Sequence, residues 1–384
     1  MLNRRTLRVK AMQAMFAFEQ CKEANFNVAI EKLEESFRQD LNSMEIHDPI
    51  ELDTNRKSSI ALFRKNVRDD PKTDFSSEVA IVSDSVSSVF ENYKKQVQND
   101  LKLIKKQMIV ESEGIYDRYL KVLNLLIRFS GFAEQGVGSK KSEKKEQFNL
   151  VNNLLIQHLK NNKELEVLSL KKDLGWDDEL DIIRDWFKEI IVRDDEYQSY
   201  IKKTTTFEDD YDILNHIIRK IVFKNKNILG YWETHDINWV EDEAVIRSLL
   251  IKTLKSLLEK GKDFELSILS YNWDEDKAFF EKLFDSTISD KEFLQKLISE
   301  KTKNWEFERI AYTDRIILML AISEMIHFPS IPIKVTINEF IEVSKSYSTP
   351  KSKHFVNGVL DVIAVDLQEK GQIKKSGRGL IDNK

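Results

Sequence analysis

Turn-forming residues are scarce in this chain: its 384 residues hold only 11 Gly and 5 Pro. A β-sandwich needs a turn signal every ~8–12 residues, and a nucleotide fold needs Gly-rich phosphate loops. The scarcity argues against both, and the prominence of Lys, Glu, Leu and Ile points to helices. An apolar share of 41% with 33% charged residues is a globular balance with a heavily charged surface. At ~100–200 residues per domain, the length suggests two or three domains.

Several function classes find no support. The lone cysteine, Cys21, excludes an internal disulfide and any multi-Cys zinc site. No two of the histidines His47, His158, His216, His235, His327 and His354 stand four apart, the helical spacing of a zinc pair. Gly131 to Gly138 is the nearest thing to a phosphate loop, but Val137 stands where lysine is needed. The longest apolar stretch, Ile316 to Ile326, contains Ser323 and Glu324 and falls short of the ~18 residues that span a bilayer. The start, Met1 to Phe18, is basic and then apolar, but Gln13 interrupts it and no small-residue cleavage site follows. The chain reads as cytoplasmic, without a cofactor or metal, and not as an enzyme. A net charge of −5 argues against a nonspecific nucleic-acid coat, yet permits a local basic site.

Periodicity supplies the elements. Residues 3 to 20 read as an amphipathic helix capped by Asn3, with Leu7, Ala11, Ala14, Met15 and Phe18 as its buried stripe. Arg5, Arg8, Met12 and Phe16 line the flank of that stripe. A second helix is expected from Asn27 to Ser43, with Ile30, Leu33, Phe37 and Leu41 inward. Val86, Phe90, Tyr93, Val97, Leu101, Ile104 and Met108 form the seam of a long helix, with a turn expected at Gly114 and a return over Ile115 to Phe129. Residues 136–147 have a linker's composition. Trp186-Phe-Lys-Glu-Ile resembles Phe279-Phe-Glu-Lys-Leu, which leaves an internal duplication and chance likeness both open.

The last third carries the strongest local signals. Ile316 to Ile326 is expected to be a central helix, buried all round. Thr336-Ile-Asn-Glu339 has the form of a capping box, flanked by Val335 and Phe340 at the staple positions. Thr349-Pro350 reads as an N-cap with proline at the first helical position. The final helix is expected to bury Val356, Val359, Leu360, Ile363 and Leu367, and Gly358 within it suggests close approach by another helix.

The stretch Ile331-Pro-Ile-Lys-Val-Thr-Ile-Asn-Glu-Phe-Ile-Glu-Val-Ser-Lys345, with His354-Phe-Val-Asn-Gly-Val-Leu-Asp361, resembles the NusB transcription antitermination family. So do Arg309-Ile-Ala-Tyr-Thr-Asp-Arg315, Leu320-Ala-Ile-Ser-Glu324 and the opening Asn3-Arg-Arg-Thr-Leu-Arg8 with Gln13-Ala-Met-Phe16. The resemblance covers residues 1–44 and 275–384, as two parts of one NusB-like domain, and leaves 45–274 as a helical insertion. It implies an all-α NusB-like bundle that is not an enzyme. It implies binding of boxA-type single-stranded RNA together with NusE, a ribosomal protein, within the RNA polymerase elongation complex, so that rRNA operons are transcribed through. Carried over by position, the RNA surface would use Arg4, Arg5, Arg8, Phe355 and Asn357, and Asp314 and Arg315 would face NusE.

Phe16 and Lys351 join the RNA set on chemistry, because single strands are held by cations on phosphates and by aromatics on bases. Against this stands the reading of the phenylalanines as core and the arginines as a solvated face. Two positions depart from the family: Met319 where arginine is frequent, and Lys351 where an acidic residue is frequent. The rival function is a ribosome-assembly or scaffold protein of the same fold without boxA specificity. A NusB-like domain also precedes an rRNA cytosine methyltransferase domain in another family, but that needs a catalytic cysteine and a cofactor-binding Rossmann region, and the only cysteine, Cys21, lies in the first or second helix.

Overall fold

The computed structural model describes residues 2–39, 48–69, 75–136, 148–302 and 309–383. Among these residues the chain is helical and has no strand. In chain order the helices are α1 (Arg4–Ser36), α2 (Pro49–Arg64), α3 (Ala80–Glu134), α4 (Phe148–Val151), α5 (Leu154–Lys160) and α6 (Lys163–Lys172). Then come α7 (Leu180–Trp186), α8 (Asp195–Ile201), α9 (Phe207–His216), α10 (Lys226–His235) and α11 (Trp239–Lys260). The last five are α12 (Trp273–Ser289), α13 (Lys291–Lys301), α14 (Tyr312–His327), α15 (Ile333–Tyr347) and α16 (Ser352–Glu369). No helix among the described residues is long and apolar enough to cross a membrane.

The chain divides into two compact units: Met1–Thr6 with Ile109–Lys277, and Leu7–Met108 with Ala278–Lys384. In the first unit, an aromatic cluster joins Trp176, Trp186 and Trp232 to Trp239, the first residue of α11. Trp232 stacks on Trp239 with ring centroids 4.2 Å apart, and the buried Tyr119 hydroxyl lies 2.6 Å from Thr253 Oγ1. Arg118 binds the carboxylates of Asp236 and Asp242 there. Arg4 belongs to this unit and pairs with Glu275 at 2.6 Å.

The second unit is built on α14, whose residues Ile316 to Met325 are all buried, as its apolar run requires. The polar Ser323 and Glu324 are buried with the rest. The final helix buries Val356, Val359, Leu360, Ile363 and Leu367 as expected. A further core joins Phe26, Leu33 and Phe37 to Phe63 of α2 and to Val82, Val86 and Tyr93 of α3. Residues 48–69 and 75–108, parts of the segment 45–274, thus pack with α1 in this unit.

Five local expectations are corrected. The helices expected over 3–20 and 27–43 are one helix through Ser36, with Leu41 outside the described residues. Their shared apolar stripe gives the chain no reason to break. Gly114 marks no turn: α3 runs through it for 55 residues, since burial on both sides of the glycine outweighs its helix cost of about 1 kcal/mol. The capping box at Thr336 is not formed, because α15 already starts at Ile333 behind Pro332 and Val335 is exposed. Pro350 stands ahead of the last helix, which starts at Ser352. At Gly358 an added Cβ meets nothing within 4 Å, so no helix approaches it closely. The linker expected over 136–147 lies outside the described residues apart from Gly136.

Candidate nucleic-acid interface

The candidate site lies where α14 and α16 begin. Asn3 caps α1 as expected, its Oδ1 accepting the Thr6 amide at 2.9 Å, and the stripe from Leu7 to Phe18 is buried. The flank residue Phe16 stays 40% exposed and meets the Tyr312 ring edge-on, with centroids 5.5 Å apart. Burial pushes the Tyr312 phenol up to about 12, so it acts as a neutral hydroxyl. The Arg315 guanidinium lies 4.9 Å from the same ring centroid.

Ser352, the first residue of α16, ties the two helix starts together. Its hydroxyl donates to Asp314 Oδ2 at 2.7 Å and accepts from the Ser348 hydroxyl at 2.9 Å. Thr349 Oγ1 lies 2.8 Å from it as well. This junction forms the floor of a pocket of about 330 Å³. Ile310, Ala311 and Phe355 supply apolar walls, and the exposed Arg309 and Lys351 stand at its edge. Neither α14 nor α16 has a side-chain N-cap, so the partial positive charge of both helix starts is presented here. Asp314 Oδ1 is buried beside the pocket without a hydrogen-bond partner among the described residues. A planar apolar group fits against Phe355, anions fit at the rim, and an N–H donor fits Asp314.

The expected site residues separate. Lys351 and Phe355 line the pocket together, whereas Asn357 donates to Asp361 at 3.1 Å and does not line it. Arg5 is exposed and, with Arg4, belongs to the other unit. Two residues correct the sequence reading. Arg8 is 2% exposed, held by Glu324 at 2.7 and 2.8 Å, with Glu339 3.6 Å away. Its guanidinium also lies 5.5 Å from the Phe279 ring centroid and 5.9 Å from that of Phe340. It is a core cation and not a surface one. Asp314, expected to face a protein partner, is buried at the foot of α16. Arg309 and Tyr312 were missed as site residues. Their sequence signal was a cation and an aromatic immediately before the apolar run of α14.

Among the described residues no group of His, Cys, Asp and Glu side chains could hold a metal ion. The NusB family model matches residues 244–365, from within α11 to within α16, and so leaves out the arginine-rich start of α1. A transcription antitermination protein NusB of Salinibacter ruber is 40% identical over 141 residues, 35% of this chain and 88% of that protein. One from Chloroherpeton thalassium is 42% identical over 106 residues, 28% of this chain and half the length of that relative. One from Dictyoglomus thermophilum is 35% identical over 133 residues, covering 34% of this chain and 90% of that protein. No solved structure matches the chain.

Proposed function

Because the chain belongs to the NusB family of transcription antitermination proteins, we propose that it binds boxA-type single-stranded RNA together with NusE and so promotes transcription of rRNA operons. The observation that carries this reading is the pocket at the starts of α14 and α16. It joins a half-buried aromatic, Phe355, to the exposed cations Lys351 and Arg309. Single-stranded RNA is held by that combination, with bases stacked on rings and phosphates on cations. The Asp314 oxygen without a hydrogen-bond partner among the described residues adds an acceptor for a base N–H group. Arg4 and Arg5, in the other unit, are taken as phosphate contacts in their own right, Phe16 as a base contact, and Arg315 as a residue of the NusE side. The protein acts by recruitment and catalyses no reaction. Of the segment 45–274, only residues up to 243 are read as an insertion relative to the short members of the family, since the family model covers 244–365.

The test is a competition measured by fluorescence anisotropy. Labelled boxA RNA is bound to the full chain with and without NusE, then challenged with unlabelled boxA or scrambled RNA. Preferential displacement by boxA, strengthened by NusE, is the expected result. Equal displacement by both competitors overturns boxA specificity and favours the scaffold reading. The phosphate-binding charge of Lys351, where the family often has an acidic residue, is compatible with that alternative.

A further inference from the structure

A second pocket of the same unit, about 360 Å³ in volume, is walled by α1, the π-helical turn Lys65–Asp69 that continues α2, α3, α13 and α14. Its cations are Lys22, Arg68, Lys291 and Arg315, against the carboxylates of Glu19 and Glu23. Both carboxylates are already engaged. Lys291 Nζ donates to Glu19 Oε1 at 2.6 Å, and Arg68 Nη2 donates to Glu23 Oε1 at 2.6 Å. Arg68 also lies 3.9 Å from the Phe26 ring centroid. Lys22 is different. It is half-buried and has no hydrogen-bond or ion-pair partner among the described residues, while Lys291, Glu19 and Glu292 act on it at longer range. Burial first, and then Lys291, lowers its pKa, while Glu19 and Glu292 act the other way.

Arg68 and Tyr93 belong to segment 45–274, so residues 1–44 and 275–384 cannot form this pocket alone. We propose that the pocket is a docking point for a protein segment that presents a carboxylate to the Lys22 ammonium, and that the inserted residues Arg68 and Tyr93 thereby extend the partner face that begins at Arg315. The inference rests on the reading of the Arg315 side as the partner side. A protein carboxylate suits the pocket better than an RNA strand does. Four cations against two carboxylates leave the pocket a small positive excess, which suits one carboxylate at Lys22, whereas Glu19 and Glu23 in its wall repel a run of phosphates. Aromatic rings beside arginine are also the usual anchors of a protein–protein interface.

The experiment uses the full chain with Lys22→Met, which keeps the apolar stem, and Lys22→Glu, which reverses the charge. NusE binding is measured by calorimetry, boxA RNA binding by anisotropy without NusE, and folding by thermal melting, all on the same samples. Lys22→Glu is expected to weaken NusE binding at least about tenfold and Lys22→Met by less, with RNA affinity unchanged. Undiminished NusE binding by Lys22→Glu overturns the inference alone. Weakened RNA binding with NusE binding intact also overturns it and makes the pocket a phosphate site. Failure of the unsubstituted chain to bind NusE overturns the partner reading, and the inference with it. If both Lys22 variants melt early, Arg68→Gln at an exposed position replaces them under the same expectations.

Discussion

Arg8 and Glu324 form a buried bidentate ion pair across 316 positions of sequence, Nε and Nη2 of the arginine donating to the two carboxylate oxygens at 2.7 and 2.8 Å. The pair fixes the first helix to the central one, and Thr336 of α15 completes it by donating its hydroxyl to Glu324 Oε1 at 2.7 Å. Three helices of one unit therefore share a single carboxylate.

Arg8→Ala is expected to destabilise the protein by about 3–5 kcal/mol, because it strands the Glu324 charge in the core. Arg5→Ala, at an exposed position, is expected to change stability by no more than about 0.5 kcal/mol. Urea denaturation of the two variants checks the contrast. Equal midpoints would show that Arg8 is not the structural member of the arginine cluster.

Thr336→Val removes the third member of the network while keeping the volume. A hydrogen bond to a charged group contributes about 1.5–3 kcal/mol, so a loss in that range is expected. Since Thr336 and Arg8 bind the same carboxylate, the double variant Thr336→Val with Arg8→Ala should cost less than the two losses added together. Strict additivity in the double-mutant cycle would dissolve the network.

Phe355→Ala tests the pocket. The ring is only half-buried, so its loss should weaken RNA binding by about 1–3 kcal/mol through stacking and have a smaller effect on unfolding. Lys351→Ala should reduce the slope of log K against log salt by about 0.7. A variant that melts early yet, where folded, binds RNA normally would return Phe355 to the core.

Gly358→Ala is expected to stabilise α16 by about 0.5–1 kcal/mol, since nothing lies within 4 Å of the added methyl group and the backbone is helical. A lower melting temperature would reveal a constraint at Gly358 that the isolated chain does not show.

In the first unit, Asp209 completes the capping box of α9, whose N-cap is Thr206. Its carboxyl falls from 3.8 to about 2, chiefly through the hydrogen bond from Lys203 and then the Thr206 amide. A depressed folded value means that the cap's contribution is complete above the unfolded pKa and is lost as pH falls from about 4 to about 2. A carboxyl titration followed by NMR should place its midpoint below those of unpaired aspartates. Lys203→Ala should raise that midpoint, and an unchanged titration would show that the lysine does not hold the carboxylate.

Much of the second unit was legible from spacing. The burial of the stripes from Leu7 to Phe18 and from Val356 to Leu367, and of the whole run Ile316 to Met325, follows from helical periodicity, which needs only neighbours in sequence. Helix ends were less legible at Thr336 and Thr349. A capping motif competes with tertiary hydrogen bonds, and the Thr336 hydroxyl goes to Glu324 instead. The pocket residues Lys351 and Phe355 were readable as an i, i+4 pair. Their neighbours Arg309 and Ala311 come from the loop before α14 and become visible only once the two helix starts meet.

The sequence by itself determined that the chain is helical, which faces of its best helices are apolar, and which family its last third resembles. These properties are local, or are carried by short motifs. Tertiary structure decided which of three clustered arginines is a core residue, because only the fold brings Glu324 and Glu339 to Arg8. It also decided that residues 48–69 and 75–108 close the core around the end of α1, since an apolar seam states that it needs a partner but not which one.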